Sequence, residues 1–589
     1  MKILLLHPDD SVYSGPWSGR QWDLIIDLGW AGRCAYAKMS EDLGFPVRSV
    51  QELSDPDAHV RKLREVLAVG LGSLIDSYGI DWWEFANPYR APVLDQILQA
   101  SQLATQVPQN AEVSATRPHL MVRILSDMLA GVIATFLPAR QGIIHSLGHY
   151  AQMSRTLSPS AVVQIAFDKW DADYSIRRRL SRRPVPSSVG GVLLPSAYRN
   201  VTRTQMAYAR MLPQQQFLSV VTRRDGRIAD ALPNMQVRSL AAYVPREPLV
   251  ATERENARLR QAWSKFNALS DDPALQIARR LGTFKDFPKF IATGLRVRDA
   301  WDAVLRAEKV SSVLSADENN PFTRLPVWLA HRQGIPTVYA EHGALNFNLG
   351  LRVPCSDRYL ARDEMMKDYW QRYCHMPGDK IELGAPADAL PARDPGRNKR
   401  DYIVFFSSDY ELSGGRAVDF YREVLPPLCV MAKKNDRSVI LKLHPFESLP
   451  ERRRCVNALL TQEQRACLEL RSGPLDSTLL DRIWIALTVE SSAAVECALA
   501  GIPTFLCSWF DPSWWEYGKQ FVRFSVAQAL ESPEQIADLP KRMSKIARPQ
   551  MRTLATTPIT RARLESILGL RGERLTPIAS QNLVSPDSR

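Results

Sequence analysis

Two stretches decide how this chain is read: Ser438-Val439-Ile440-Leu441-Lys442-Leu443-His444-Pro445 and Ile483-Trp484-Ile485-Ala486-Leu487-Thr488-Val489-Glu490-Ser491-Ser492-Ala493-Ala494. Each opens on an almost unbroken apolar run, the pattern of a strand buried on both faces of a parallel sheet. His444 then falls at the carboxyl end of the first strand. The second run passes through a serine pair into Ala493 to Ala500, a good helix former stopped by Gly501, so Ser491 or Ser492 is the expected N-cap. Ile502-Pro503-Thr504-Phe505-Leu506-Cys507 begins the next strand. Strand, serine pair, helix and strand make one βαβ unit. In open α/β sheets ligands bind outside the carboxyl ends of the strands, where free N–H groups and the helix dipole favour phosphate. An imidazole, a lysine and two hydroxyls at one such place point to a nucleoside mono- or diphosphate. Either motif alone is commonly a plain turn or a plain cap, and a second His-Pro, His7-Pro8, shows how little that dipeptide says by itself. The order and matching topology of the pair carry the reading.

An internal echo extends it. Val310 to Ser315 reads as a strand, Asp317-Glu318-Asn319-Asn320 as a polar turn, and Pro321 as the first residue of a helix ending at Gly334. The junction Gly334-Ile335-Pro336-Thr337 recurs as Gly501-Ile502-Pro503-Thr504, each time between a helix and a new strand. Two related Rossmann-like domains facing across a cleft are expected. One wall would carry Asp317, Glu318, Asn319 and Glu341-His342-Gly343; the other would carry Ser407-Ser408-Asp409, Lys442, His444, Pro445, Glu490, Ser491 and Ser492. An acceptor hydroxyl needs a general base, for which His342 or Glu341 comes first and Asp317 or Glu318 next. A leaving nucleotide needs its growing charge met by fixed donors, the task of the second wall.

The His444-Pro445 and Ser491-Ser492 motifs resemble the paired motifs of bacterial GT-B glycosyltransferases that use CMP-sugars, such as capsule polysialyltransferases and Kdo transferases; the CDP-glycerol-dependent teichoic-acid glycerophosphotransferases look similar here. The resemblance covers about Val310 to Leu530. It implies an α/β chain of GT-B type, with two facing Rossmann-like domains and an additional N-terminal α/β region. It also implies a nucleotide-sugar donor, CMP-linked with Kdo or a related acid sugar, as substrate rather than cofactor, and a surface-polysaccharide or lipid-linked glycan as acceptor. His444 and the serine pair would contact the donor's phosphate and cytidine, and a His-Gly pair at a comparable place in the glycerophosphotransferases favours His342 as base. The acidic-acidic-glycine motif of the sialyltransferases is missing, which weakens sialic acid as donor. Metal independence follows from the resemblance and from the lack of an Asp-x-Asp pair at a strand end of either Rossmann-like domain, although Asp171-Ala172-Asp173 lies upstream. A CDP-glycerol or CDP-ribitol polyol-phosphate transferase, a UDP-sugar transferase or epimerase, and a non-catalytic carbohydrate- or nucleotide-binding subunit remain alternatives, since fold does not fix chemistry.

With 589 residues the chain exceeds a single core. The expected division is 1–186, an N-terminal mixed α/β region of unassigned role; 187–392, the first Rossmann-like, acceptor-side domain; 393–545, the nucleotide-donor domain; and 546–589, a basic, partly disordered tail. In the first region strands are expected at Lys2 to Leu6, Gln21 to Asp27 and Ala161 to Phe167, and helices at His59 to Tyr78, Val93 to Ala104 and His119 to Leu137. A long charged helical stretch is expected from Thr252 to about Phe290. Net charge is +12, with bases clustered at Arg177-Arg178-Arg179, Arg182-Arg183 and near the C-terminus, so a solvated face competes with attraction to an anionic membrane surface or polyanionic acceptor. No nucleic-acid module is recognisable. Eight cysteines without CxxC spacing argue against a disulfide framework or a zinc site and suit a reducing cytoplasm. The first apolar stretch is too short for a signal peptide, and Ile124 to Pro138 too short for a membrane span, so a cytoplasmic location, free or peripheral at the inner membrane face, is expected. Trp82-Trp83 is either a sugar platform or, more commonly, a core anchor, and Trp509, Phe510, Trp514 and Trp515 either cover the donor or pack the domains.

Overall fold

The computed structural model describes residues 1–30, 33–53, 55–138, 190–222, 231–245, 249–318, 320–341, 353–386, 400–408, 410, 416–444, 447–473, 475–510, 517–545 and 558–570. Three parallel sheets organise them. The first holds β1 (Lys2–Leu6), β2 (Leu24–Asp27), β3 (Val47–Ser49), β4 (Glu112–Ala115) and β5 (Ala134–Thr135), in the order β3-β2-β1-β4-β5. The second holds β6 (Gly191–Ser196), β7 (Phe217–Val221), β8 (Met235–Ser239), β9 (Val310–Ser315), β10 (Thr337–Ala340), β11 (Arg358–Ala361) and β12 (Ile381–Leu383), in the order β12-β11-β10-β9-β6-β7-β8. The third holds β13 (Tyr402–Phe406), β14 (Ser438–Lys442), β15 (Leu468–Arg471), β16 (Ile483–Thr488), β17 (Thr504–Cys507) and β18 (Gln528–Leu530), in the order β15-β14-β13-β16-β17-β18. In each, the first strand has its second and third partners on one side and its fourth onward on the other, the doubly wound order of a Rossmann-like sheet. The N-terminal region, expected only to be mixed α/β, is thus a third copy of the arrangement.

The strands read as continuous apolar runs because both faces are covered. On β1, Ile3 and Leu5 face one core while Leu4 and Leu6 face another; on β13, Ile403 and Phe405 are separated in the same way from Val404 and Phe406. The repeated Gly-Ile-Pro-Thr junction has one structural cause. Gly334 and Gly501 both adopt left-handed φ, 70° and 63°. The next amide reaches back five residues to close the helix, Ile335 to the Ala330 carbonyl at 3.0 Å and Ile502 to the Cys497 carbonyl at 2.9 Å. This is the Schellman stop that glycine permits.

Several element limits differ from the sequence reading. The long helix expected from Thr252 is three helices, Val250–Leu269, Pro273–Arg280 and Phe287–Ala307, because Asp272 caps a new start with Pro273 at its first turn. The last of these runs well beyond the expected end and is deeply buried, with Trp301 fully enclosed. The helix expected from His59 to Tyr78 is Pro56–Ala68, ended ahead of Gly70 and Gly72, both at positive φ. The one expected through Leu137 is Leu120–Met128; Ala130 turns left-handed and releases the chain into β5. Within the expected basic tail, residues 558–570 fold back onto the second sheet. Ile559, Leu564 and Ile567 join the core of Leu194 and Phe217, and Arg563 pairs with Glu382 at 2.5 Å. The expected strand Ala161 to Phe167, the Arg177 to Arg183 cluster and Asp171-Ala172-Asp173 lie outside the described residues.

The three bodies pack on one another. Trp82 and Trp83 are fully buried as core anchors, Trp83 ringed by Trp263, Phe266, Phe284 and Phe287 at 5.3–5.6 Å between ring centres. Trp82 lies directly over Gly294 of the Phe287–Ala307 helix, where a β-carbon would come within 2.0 Å of the indole. Gly294→Ala should therefore lower stability by about 1–3 kcal/mol through overpacking, read as a lower denaturation midpoint; an unchanged midpoint would mean the two elements separate freely. Between the second and third sheets, Met365, Met366, Tyr369 and Trp370 meet Ala494, Val495, Ala498 and Phe521. From the first sheet to the third, Trp30 enters the core beside Phe420, 4.9 Å between ring centres. Buried Arg416 pairs there with Asp27 at 2.9 Å.

Candidate functional site

The third sheet reverses its strand order between β13 and β16, so its crevice opens outside the carboxyl ends of those two strands. Phe406 is level with Lys442 on one side and Thr488 on the other. The register therefore delivers Ser407-Ser408, Leu443-His444 and Val489-Glu490-Ser491 to the same edge. Ser408 Oγ spans the crevice to Glu490 Oε1 at 3.3 Å. These expected donor-site residues from three separate strands are thus brought together; Pro445 lies outside the described residues.

Their arrangement depends on a residue the sequence reading missed. Glu447 has a side chain only 1% exposed. One of its oxygens accepts from Ser407 Oγ at 3.0 Å, Tyr421 Oη at 2.7 Å and Arg452 Nε at 2.7 Å. The other accepts the backbone N–H of His444 at 2.7 Å. The Glu447 amide returns to the His444 carbonyl at 3.0 Å, closing the turn. The legible signal was an acidic residue three places after the histidine, the spacing of a side chain that satisfies the backbone of its own turn. Ser407, offered as a donor contact, spends its hydroxyl inside this buried network, and burial pushes the Tyr421 phenol well above its ordinary range.

Lys442 is also turned to structural use. Its ammonium donates to the Gly473 carbonyl. Burial holds it below the usual lysine range, against the opposing charges of Asp476 and Glu496; Arg203, on the helix Arg199–Arg210 that follows β6, adds to the lowering. The two serines, either of which was expected as the cap, divide their roles. Ser492 begins the Ala493–Leu499 helix but in helical conformation and with no side-chain cap. Ser491 is held by its amide on Thr488 Oγ1 at 2.8 Å, and its hydroxyl oxygen accepts the Ala493 N–H at 3.4 Å, so Ser491 is the one that caps. The Ser492 hydroxyl is thus not consumed by capping.

On the second sheet the acidic candidates separate by environment. Asp317 accepts the Asn320 amide at 3.1 Å and Thr323 Oγ1 at 3.2 Å, so it organises the start of the Pro321–Arg332 helix. Glu318 is fully buried beneath Ser356 Oγ and Tyr359 Oη, the latter at 3.0 Å. Both are committed to local hydrogen bonds rather than presented to an incoming hydroxyl. Glu341, 7% exposed at the end of β10, accepts from Tyr339 Oη at 2.6 Å. His342 lies outside the described residues, as do Asn319, Gly343 and Asp409. Among the described residues no cluster of three or more His, Cys, Asp or Glu is arranged to hold a metal, and no helix is long and apolar enough to cross a membrane. The buried pair Trp509 and Phe510 packs on Phe420, with the Trp509 indole N–H on Glu423 at 2.7 Å, so these two rings serve the core.

No family model matches the chain, and no curated protein matches it. Solved structures do resemble it at low identity. UDP-GlcNAc 2-epimerase from Neisseria meningitidis bound to UDP-GlcNAc matches at 14% identity and TM-score 0.36, covering 64% of this chain and 97% of that one. CalG4, the calicheamicin glycosyltransferase, matches at 12% and 0.36, covering 65% and 96%. The wall teichoic acid polymerase TagF matches at 10% and 0.36, covering 71% and 92%.

Proposed function

We propose that this chain is a glycosyltransferase that moves a sugar, Kdo or a related acid sugar, from a CMP-linked donor to a glycan or glycolipid acceptor in the cleft between the second and third sheets. What supports the reading is the meeting of His444, Ser408, Glu490, Ser491 and Ser492 at the carboxyl edge of the third sheet's switch point. An acceptor hydroxyl loses its proton to His342 or Glu341 and attacks the anomeric carbon. The bond from that carbon to the phosphate oxygen breaks, and the pair of electrons leaves with CMP. His444, Ser491 and Ser492 meet the charge that grows on the phosphate, and much of the rate comes from holding the two substrates in register. Asp317 and Glu318 are support for the fold rather than the base. Excess positive charge suits an acidic donor and acceptor, and contact with an anionic membrane surface belongs to the same proposal.

A thermal-shift titration with CMP, CDP, UMP, UDP and GDP tests the donor. At about a hundred times its dissociation constant a ligand adds roughly 2.7 kcal/mol of stability. CMP is expected to give the largest shift. A response confined to UDP would overturn the cytidine assignment, and no response to any nucleotide would overturn the donor site itself.

A further inference from the structure

The N-terminal sheet has the strand order of the other two, and therefore a crevice of its own where β1 and β4 part. Nothing in the chemistry of the cleft uses it. His7 and Asp10 follow β1 there, and Arg117 and His119 follow β4. The two imidazoles stand edge to face with ring centres 5.4 Å apart. Each is fixed through one nitrogen: His7 Nδ1 accepts the Asp9 amide at 3.1 Å, and His119 Nδ1 accepts the Met121 amide at 3.2 Å. A ring nitrogen that accepts leaves the proton on its partner, so both rings present Nε2–H. Among the described residues neither Nε2 has an acceptor. Arg117 binds Asp10 through Nε at 2.9 Å and Nη2 at 2.6 Å, and its Nη1 has no partner among the described residues.

The crevice lies at a domain boundary, the commonest setting for a ligand site. Arg416 of the third body donates to the carbonyls of His7 and Asp10 and pairs with Asp27. Asp10 pairs with Arg117, and Arg416 is shared between Asp27 at 2.9 Å and Asp419 at 3.9 Å; Asp9, half exposed, lies 3.7 Å from His7 Nδ1. Burial keeps both rings neutral: it lowers His7, with Asp9 and Asp10 opposing and Arg117 and Arg416 assisting, and takes His119 down to about 4 with help from His7. What remains unsatisfied is a set of N–H donors: two from neutral rings and one from a guanidinium.

We propose that this crevice is a second ligand site that takes an oxyanion, a phosphate or a carboxylate, on the Nε2–H groups of His7 and His119 and Nη1 of Arg117. It does not depend on the reading of the cleft. His7→Asn and His119→Asn isolate the claim, because an asparagine oxygen can still accept the amide two residues on, keeping the turn at Asp9 and the cap at Met121 while deleting Nε2–H. Calorimetric titration of the whole chain with inorganic phosphate and with glucuronate separates the two sources. The double variant is expected to bind one of them at least tenfold more weakly while responding to nucleotides as the parent does. Nitrogen chemical shifts of the His7 and His119 rings in the unaltered protein are expected to move on addition of the same anion. Parental affinity of the double variant for both anions, failure of the parent to bind either, or loss of all anion binding in His444→Ala, which would assign it to the cleft, overturns the proposal.

Discussion

Glu447→Ala should be the most damaging single change at the donor wall, lowering the stability of the third body by about 3–5 kcal/mol, because it strips a buried guanidinium of its carboxylate. Arg452 would lose its 2.7 Å partner, and Ser407, Tyr421 and the His444 amide would lose their acceptor in the same step. Glu447→Gln keeps the size of the side chain and some of the acceptors but not the charge, and should fall between parent and alanine variant. Urea denaturation gives the stability loss, and a CMP titration of the folded fraction gives the functional one. Since the His444 backbone is held by this carboxylate, nucleotide affinity should drop even under conditions where the variant is folded. A parental denaturation midpoint for Glu447→Ala would show that the network stabilises nothing.

His342→Ala should have the largest effect on turnover, a loss of about 10²–10⁴-fold in kcat, the usual contribution of a general base. Donor affinity should stay nearly unchanged, because the donor's phosphate would sit on the opposite wall. The control is Asp317→Asn. Asp317 is tied to the Asn320 amide and Thr323 hydroxyl, so its substitution should cost stability and leave the pH profile of kcat intact. Glu341→Gln decides the remaining choice: if it, and not His342→Ala, abolishes turnover with donor binding preserved, the carboxylate is the base. An Asp317→Asn variant that folds as the parent does yet cannot turn over would overturn the division between supporting and reacting carboxylates.

The parts of this architecture that were legible in the sequence are those in which one local cause dominates. Val439 to Leu441 and Ile483 to Leu487 read as buried strands because both faces are covered and no polar residue interrupts them. The Gly-Ile-Pro-Thr pair was legible because only a left-handed residue can close both helices in the same way. The helix limits from Thr252 onward were not, because charged helix formers run on both sides of the Asp272-Pro273 restart, and the close packing of Gly294 under Trp82 joins residues more than two hundred positions apart. The Rossmann-like order of the N-terminal sheet escaped because β3, β4 and β5 are two to four residues long, too short to show a period. At the site, residue type located His444 and Glu490, but only packing shows that Ser407, Lys442, Asp317 and Glu318 spend their polar groups on their neighbours. Glu447 was hidden for the converse reason: a buried carboxylate cannot be told from a surface one until Tyr421 and Arg452 are seen closing on it.

The joint between Asp27 and Arg416 sets a condition on synthesis. The two residues are 389 positions apart in the chain, and at about 5–20 residues per second a ribosome needs roughly 20–80 s to pass from one to the other. Over that interval Asp27 has no Arg416 to pair with and Trp30 no Phe420 surface to receive it. The first body made is therefore the last to be completed. A nascent chain halted before Arg416 should present this edge to chaperones and proteases, and release from that state should coincide with emergence of the helix Ala417–Lys434.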